Sequence, residues 1–208
     1  DDFATRLSLA TDNSVYQVLP EAVIFPKNAA AIVAVLTLAK HEAFKNIKFS
    51  PRGGGTGTNG QSLSAGIIID CSRYMREILE INLAEKWVRV QPGVILDQLN
   101  VFLKPHGMHF APEISPSNRA TIGGMINTDA CGNGSKVIGR TSDHLVDLTC
   151  VLADGSVMNT REYSTHPALT TELSQLIAPQ QALIKQIFID RPRNLNGYNL
   201  LKAYSGEL

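Results

Sequence analysis

Five glycines fall within eight residues in the stretch SPRGGGTGTNGQ, residues 50–61, between two apolar segments that each predict a β-strand, 46–50 and 66–70. Glycine adopts positive φ and lets other atoms approach the backbone closely. Successive N–H groups in such a loop can point at one anion and bind phosphate without any net protein charge. The alternative is a flexible loop or tight turn. The arginine, threonines and asparagine among the glycines are hydrogen-bond donors, and they favour the anion site.

Two familiar phosphate motifs are excluded by their surroundings. Residues 55–60 match G-x-G-x-x-G, but that fingerprint must open a helix, whereas QSLSAG at 61–66 runs directly into a strand. A P-loop needs Gly-Lys-Ser/Thr, and Gly134-Ser135-Lys136 has the wrong order. The sequence therefore predicts neither a Rossmann nor a P-loop nucleotide site.

Charge and hydropathy exclude several classes of partner. The 208 residues carry 19 basic and 19 acidic side chains, for a formal net charge of zero. A nucleic-acid groove or a membrane-surface patch usually needs clustered Lys and Arg, so neither is expected. No apolar run approaches the roughly 20 residues that span a bilayer, so we expect no transmembrane segment.

The cysteines and histidines predict no metal site and no disulfide framework. Cys71, Cys131 and Cys150 are odd in number and far apart, which is typical of a reducing, cytoplasmic setting. His106 and His109 have metal-like spacing, but no carboxylate or third histidine completes a site.

The first 70 residues predict a β-α-β-loop-β unit. The expected strands are 22–26, 46–50 and 66–70, the last buried on both faces. Asn28 is a candidate cap for the helix between the first two strands. Its apolar residues recur at helical spacing and predict one buried face: Ile32, Val35, Leu36 and Ala39.

After residue 70 the sequence predicts a different arrangement of elements. Residues 77–81 and 86–90 predict paired strands, and a helix over 95–103 should bury Ile95, Leu99, Phe102 and Leu103. Residues 111–141 lack periodicity, as functional or disordered loops do. A strand over 145–153, a turn at Asp154-Gly155 and a return strand from Val157 follow, and 167–190 looks helical.

The segment PEISPSNRATIGGMINTDACGNGS, residues 112–135, is a second Gly-rich polar stretch. Ile122, Met125 and Ile126 favour anchoring in a core over a surface loop. Two such loops in one chain suggest one long ligand held from both sides.

Four motifs in order resemble the FAD-binding domain of the vanillyl-alcohol-oxidase/PCMH flavoprotein family, in the branch of FAD-linked 2-hydroxy-acid dehydrogenases: PRGGGTG at 51–57, ATIGG at 120–124, DHL at 143–145 and ADG at 153–155. The likeness covers roughly residues 15–160. ATDNS at 10–14 and NTDA at 127–130 are similar to large bacterial members that also carry a C-terminal iron–sulfur region.

This resemblance implies an α+β, two-subdomain PCMH-type FAD-binding fold. The first α/β subdomain would be residues 1–72 and the second α+β subdomain 73–165. Residues 166–208 would be a helical segment leading to a missing substrate domain, so the chain is expected to be a fragment that is inactive alone.

The resemblance also implies the site residues. The pyrophosphate would be wrapped by the backbone amides of Arg52, Gly53, Gly54, Gly55, Thr56 and Gly57, with Thr58, Asn59 and Gln61 continuing the loop. The other side of FAD would be lined by Pro112, Ser117, Thr121, Gly123, Gly124 and Asn127. Gly132, Gly134 and Ser135 would lie near the isoalloxazine.

The implied chemistry is oxidation of a 2-hydroxy acid, of the D-lactate or D-2-hydroxyglutarate type, by hydride transfer to flavin N5. Thr56 stands where covalent members carry histidine, so non-covalent FAD is expected. The small-molecule substrate would bind through the missing C-terminal domain, and neither the electron acceptor nor the catalytic base can be named. The alternative is a non-catalytic FAD- or nucleotide-binding module. The location would be cytoplasmic or peripheral to the inner membrane.

Several side chains have two interpretations. His144, beside Asp143, is interpreted as structural, with a catalytic base as the alternative. Arg119 and Arg140 are interpreted as surface ion pairs, with contact to an acid substrate or a flavin phosphate as the alternative. Ile138-Gly139 departs from the Tyr-Gly or His-Gly common in the family.

Overall fold

The computed structural model describes residues 2–188 and 198–200. The chain forms two compact units. The first contains the residues up to Val146 together with Ala153–Gly155, and the second contains Asp147–Leu152 and the residues from Ser156 onward. Every predicted site residue lies in the first unit. The subdomain boundaries at 72 and 165 stay predictions.

A three-stranded parallel sheet begins the first unit. Its order is β1-β3-β2, with β1 at Ala22–Ile24, β2 at Phe49–Arg52 and β3 at Ile67–Asp70. The central strand β3 buries Ile68 and Ile69 almost completely, which confirms the doubly buried strand predicted there. A short helix, α1 (Phe3–Ser8), precedes the sheet.

Strand β2 lies later in the chain than predicted, since it includes Pro51 and Arg52 rather than residues 46–48. Proline lacks an N–H and is excluded from central strands. It is tolerated here because β2 is the edge strand and pairs only with β3 among the described residues. The extension places Arg52 beside Asp70 of β3 and directly before the glycines.

Helix α2 (Ala29–Leu38) has the predicted cap: the Asn28 side chain accepts a hydrogen bond from the Ala31 N–H at 2.9 Å. Its predicted buried face is only half-buried, because none of its residues is fully buried. The burial predicted for this helix was therefore too strong.

Helix α3 (Leu96–Leu103) contributes to the hydrophobic core of the first unit, and the hairpin of β4 (Ile78–Asn82) and β5 (Trp87–Val90) packs against that core. Both elements were predicted. The core consists of seven buried residues: Val94, Leu96, Leu99, Leu103, Ala120, Ile122 and Met125. Phe102, expected on the buried face of α3, is 38% exposed, and Leu96 is buried on that helix.

The segment 111–141 is more ordered than its composition predicts. It contains helices α4 (Ile122–Asn127) and α5 (Ser135–Ile138) and a 3₁₀ turn at Thr141–His144. Two glycines make α4 an intrinsically weak helix. Its burial of Ile122 and Met125 in the core explains why it forms.

The second unit contains the antiparallel pair β6 (Thr149–Val151) and β7 (Val157–Asn159) and helices α6 (Pro167–Ile177) and α7 (Gln181–Ile187). Strand β6 is shorter than the predicted 145–153. The helical prediction for 167–190 is confirmed through Ile187, and residues 189–190 lie outside the described residues. Within residues 2–188 and 198–200, none of the helices has the length and hydropathy needed to cross a membrane.

Leu99→Ala tests the core assignment. Leu99 is 1% exposed among six other buried residues. Its truncation should lower the free energy of unfolding by about 2–5 kcal/mol, since a buried cavity is left behind. Val101→Ala on the same helix is the control, because Val101 is 73% exposed. Equal losses for the two variants in denaturant titrations would contradict this core.

Candidate functional site

The two Gly-rich segments lie in contact with each other. We call residues 53–60 the glycine loop and residues 119–124 the α4 turn. A Cβ on Gly53 would lie 2.1 Å from Thr121 Oγ1, and a Cβ on Gly54 would lie 2.2 Å from the Arg119 carbonyl oxygen. Neither distance leaves room for a side chain. The absence of side chains at these two positions therefore brings the segments together.

The glycine loop has unpaired backbone amides. Among the described residues, none accepts a hydrogen bond from the N–H groups of residues 53–58. Six consecutive N–H groups without such an acceptor, in a loop that contains a left-handed glycine, are donors of the kind that an anion-binding nest uses. The anion site itself stays a prediction.

Two residues predicted to belong to the FAD site, Arg52 and Gln61, contact this loop with their side chains. Gly55 has φ +61°, and a Cβ there would lie 2.6 Å from Arg52 Nη2. The Gln61 amide lies against Gly57 and accepts a hydrogen bond from the Asn59 N–H at 3.0 Å. Arg52 and Gln61 thus hold the loop's conformation with their side chains.

The amides at the start of α4 are already bonded. Thr121 Oγ1 accepts from the Gly124 N–H at 3.3 Å, and the Gly123 N–H donates to the Pro92 carbonyl at 2.9 Å. The Ile122 N–H donates to the Val94 carbonyl at 2.8 Å. The α4 turn therefore contributes a small, tightly held surface beside the glycine loop. The amides without an acceptor among the described residues are those of residues 53–58 in the loop.

The remaining predicted site residues differ in exposure. Pro112 is fully buried, and the Ser117 carbonyl accepts from the Asp97 N–H at 3.2 Å, near the start of α3. Asn127 is exposed at the end of α4, and Thr58 is exposed in the glycine loop. Thr56, at the position where covalent members have histidine, is half-buried.

Gly132 lies in close contact with Glu113. A Cβ on Gly132 would lie 1.8 Å from the Glu113 carbonyl oxygen, whereas one on Gly134 would meet only the side chain of Ile138, at 2.8 Å. Ser135 is buried. Packing therefore requires a glycine at 132, and the proximity of Gly132, Gly134 and Ser135 to a flavin stays a prediction.

The charged groups near α5 pair with one another. Arg140 Nη1 lies 3.2 Å from Asp129 Oδ2, and the Ser142 N–H donates to Asp129 Oδ1 at 3.0 Å. His144 Nε2 lies 2.8 Å from the Ile138 carbonyl oxygen, so its ring holds a backbone group. Arg119 is exposed and forms no ion pair with any described residue.

Sequence reasoning missed the part played by Asp12 and Ser62. Ser62 Oγ donates to Asp12 Oδ2 at 2.8 Å and accepts from Arg52 Nη1 at 3.4 Å, so this serine links the carboxylate to the guanidinium. The available signal was Asp12-Asn13-Ser14, a local turn pattern in which a carboxylate accepts from the backbone two residues on.

Known proteins resemble this chain in sequence and in fold. The sequence pattern of the family described as FAD binding domain matches residues 20–161. The chain belongs to the FAD-binding domain family. Its cofactor is FAD, as predicted, and the residue types of the glycine loop fit a dinucleotide's diphosphate.

D-2-hydroxyglutarate dehydrogenase of Pantoea ananatis is 49% identical over 99% of this chain and 21% of its own length. The protein of that name from Escherichia coli strain K12 is 48% identical over the same two shares. This chain therefore spans about a fifth of the length of these relatives. A solved structure of alkyldihydroxyacetonephosphate synthase matches with a TM-score of 0.69 at 20% identity, over 78% of this chain and 35% of that one. That likeness concerns the fold, and the predicted two-subdomain PCMH-type class is confirmed.

Gly54→Ala should lower the free energy of unfolding by about 1–3 kcal/mol, because a methyl group in a tightly packed contact forces the backbone apart. Its obstacle is a carbonyl oxygen at 2.2 Å, which no side-chain rotation can move. Gly107→Ala is the control: it has φ +67° and nothing within 4 Å, so it carries backbone strain alone. Denaturant titration should show a larger loss for Gly54→Ala. A smaller loss than for Gly107→Ala would mean that the two segments do not touch.

Proposed function

We propose that the glycine loop binds the diphosphate of FAD through the backbone N–H groups of residues 53–58. The observation that carries this proposal is the run of six amides without an acceptor among the described residues, beside the α4 turn. A diphosphate needs several donors, and free amides supply them without positive side chains. The chain's formal net charge of zero is consistent with such a site.

The other predicted residues would complete the FAD site. Thr58, Asn59 and Gln61 continue the loop, and the other side is formed by Pro112, Ser117, Thr121, Gly123, Gly124 and Asn127. Gly132, Gly134 and Ser135 would lie near the flavin ring. The support is the contact of Gly53 with Thr121 and Gly124, which joins the glycine loop to part of the second group.

We further propose that the protein oxidises a D-2-hydroxy acid, with D-2-hydroxyglutarate as the first candidate. The names of the two relatives at 48–49% identity support this substrate. Bound FAD would supply a hydride acceptor at N5 for the α-carbon hydrogen. The role of this chain is to hold and orient the cofactor and to fix its diphosphate.

The groups that bind the substrate carboxylate and take the hydroxyl proton would come from outside these 208 residues, as would contacts to an electron acceptor. The chain spans 21% of its relatives, which supports this division. His144, the one candidate base considered, has its ring nitrogen on the Ile138 carbonyl. The three cysteines are free thiols, in keeping with a cytoplasmic location.

FAD binding by the glycine loop is testable with Gly54→Ala. Forcing the loop away from the α4 turn should raise the Kd for FAD by at least about tenfold, equivalent to ~1.4 kcal/mol. Gly107→Ala should leave it unchanged, and flavin fluorescence titration measures both. Acid should release all bound flavin, because Thr56 offers no imidazole for a covalent bond. Unchanged affinity in Gly54→Ala would place the diphosphate elsewhere.

The substrate is testable in the full-length gene product. Anaerobic addition of D-2-hydroxyglutarate should bleach the visible absorbance of the oxidised flavin, and L-2-hydroxyglutarate should not. Bleaching by D-lactate but not by D-2-hydroxyglutarate would change the proposed substrate to D-lactate, and the proposed reaction class would stand. No bleaching by any hydroxy acid would leave a non-catalytic FAD-binding module.

A further inference from the structure

In the part of the chain that the structure describes, residues 53–58 of the glycine loop donate no backbone hydrogen bonds of the kind that usually fix a loop. The amides of residues 53–58 have no acceptor among the described residues, so backbone pairing does not hold their orientation. Free amides in a mobile loop would lose conformational entropy on binding an anion, and a preorganised loop avoids that loss. The contacts that fix this loop are therefore contacts that set its affinity.

Residues 9–16, which we call the N-terminal clasp, supply several such contacts. The Asn13 N–H donates to the Gly55 carbonyl at 3.0 Å. Tyr16 lies over Gly60, where a Cβ would be 2.9 Å from its ring, and Gly60 has φ +73°. The clasp thus contacts the loop at its middle and at its end.

The Arg52 side chain contacts both the N-terminal clasp and the glycine loop. Its side chain is 9% exposed, with Nη2 donating to the Thr11 carbonyl at 2.8 Å and Nη1 to the Leu9 carbonyl at 3.3 Å. Burial lowers the pKa of Arg52, while the charges of Asp70 and Asp12 oppose that effect. The guanidinium lies next to Gly55, so the position of the guanidinium limits where that glycine can lie.

Asp12, in the N-terminal clasp, is linked to the guanidinium through Ser62. Its Oδ1 accepts from the Ser14 N–H at 2.8 Å, and its Oδ2 accepts from Ser62 Oγ at 2.8 Å. Ser62 Oγ in turn accepts from Arg52 Nη1 at 3.4 Å. Burial by itself raises the pKa of Asp12, but hydrogen bonds from Ser14 and Ser62 and the charge of Arg52 outweigh it, so that pKa lies below its usual value.

We propose that Asp12 is a positioning residue for FAD binding, acting through Ser62 and Arg52 to hold the glycine loop in its anion-binding conformation. This proposal rests on the proposed function of that loop. Asp12 itself binds backbone and Ser62 and needs no contact with the cofactor. Its carboxylate influences affinity by holding Ser62, which accepts a hydrogen bond from the buried guanidinium that lies against Gly55.

Asp12→Asn in the full chain is the direct test, with FAD itself as the probe. The substitution keeps the shape of the side chain but removes its charge. The Kd for FAD should rise about tenfold through lost preorganisation. Asp2→Asn is the matched control, because Asp2 caps α1 through the Thr5 N–H at 2.7 Å, on the same N-terminal segment but without a contact to the loop. Its Kd should not change.

The Kd for FAD, measured on folded protein, distinguishes a positioning role of Asp12 from a role in stability alone. The Kd is measured at a temperature where circular dichroism shows each apo-variant fully folded. A merely structural role would lower the melting temperature and leave that Kd unchanged, which would overturn the proposal. Ser62→Ala provides the same test if Asp12→Asn does not fold, since it removes the link to Arg52 while keeping the Asp12 charge.

Gly54→Ala distinguishes failure of this proposal from failure of the proposed function. Weaker FAD binding in both Gly54→Ala and Asp12→Asn supports both. A loss in Gly54→Ala alone keeps the loop as the diphosphate site and overturns the role of Asp12. No loss in either variant overturns the site and, with it, the role of Asp12.

Discussion

The close approach of Gly53 and Gly54 to the α4 turn is the contact on which the site depends. Each of the two glycines lies where a methyl group would overlap another atom by about an ångström, one with the Thr121 hydroxyl and one with the Arg119 carbonyl. Residues far apart in sequence thereby form one surface, with the free amides on one side and the capped turn on the other. Without this contact the protein would have two separate polar loops.

The same contact connects the site to the hydrophobic core. Thr121 is 2% exposed, and it precedes Ile122 and Met125, which belong to the cluster with Leu99. The α4 turn is therefore rigid because the core holds it, whereas the glycine loop must be held by polar contacts. The loop is accordingly surrounded by Arg52, Asn13 and Gln61, whereas the turn is held by the core, by the Thr121 cap and by backbone bonds to Pro92 and Val94.

Local patterns in the sequence predicted the elements whose periodicity is strong. The hairpin at residues 78–90, the helix at 96–103 and the buried strand at 67–70 follow from alternation, helical spacing and a run of isoleucines. Helix α4 could not be predicted this way, because tertiary burial rather than propensity forms it. The role of the Arg52 side chain could not be predicted from the sequence either. An arginine before glycines suggests a phosphate ligand, whereas the fold shows that it donates hydrogen bonds to the carbonyls of residues 9 and 11.

Pro51 has a consequence for association between chains. It lies on β2, whose outer side has no partner strand among residues 2–188 and 198–200. An open border of a parallel sheet is a template on which a strand from a neighbouring molecule could add and begin an aggregate. A residue with no amide hydrogen interrupts that template. The tertiary amide of Pro51 thus protects this edge of the sheet from adding a further strand.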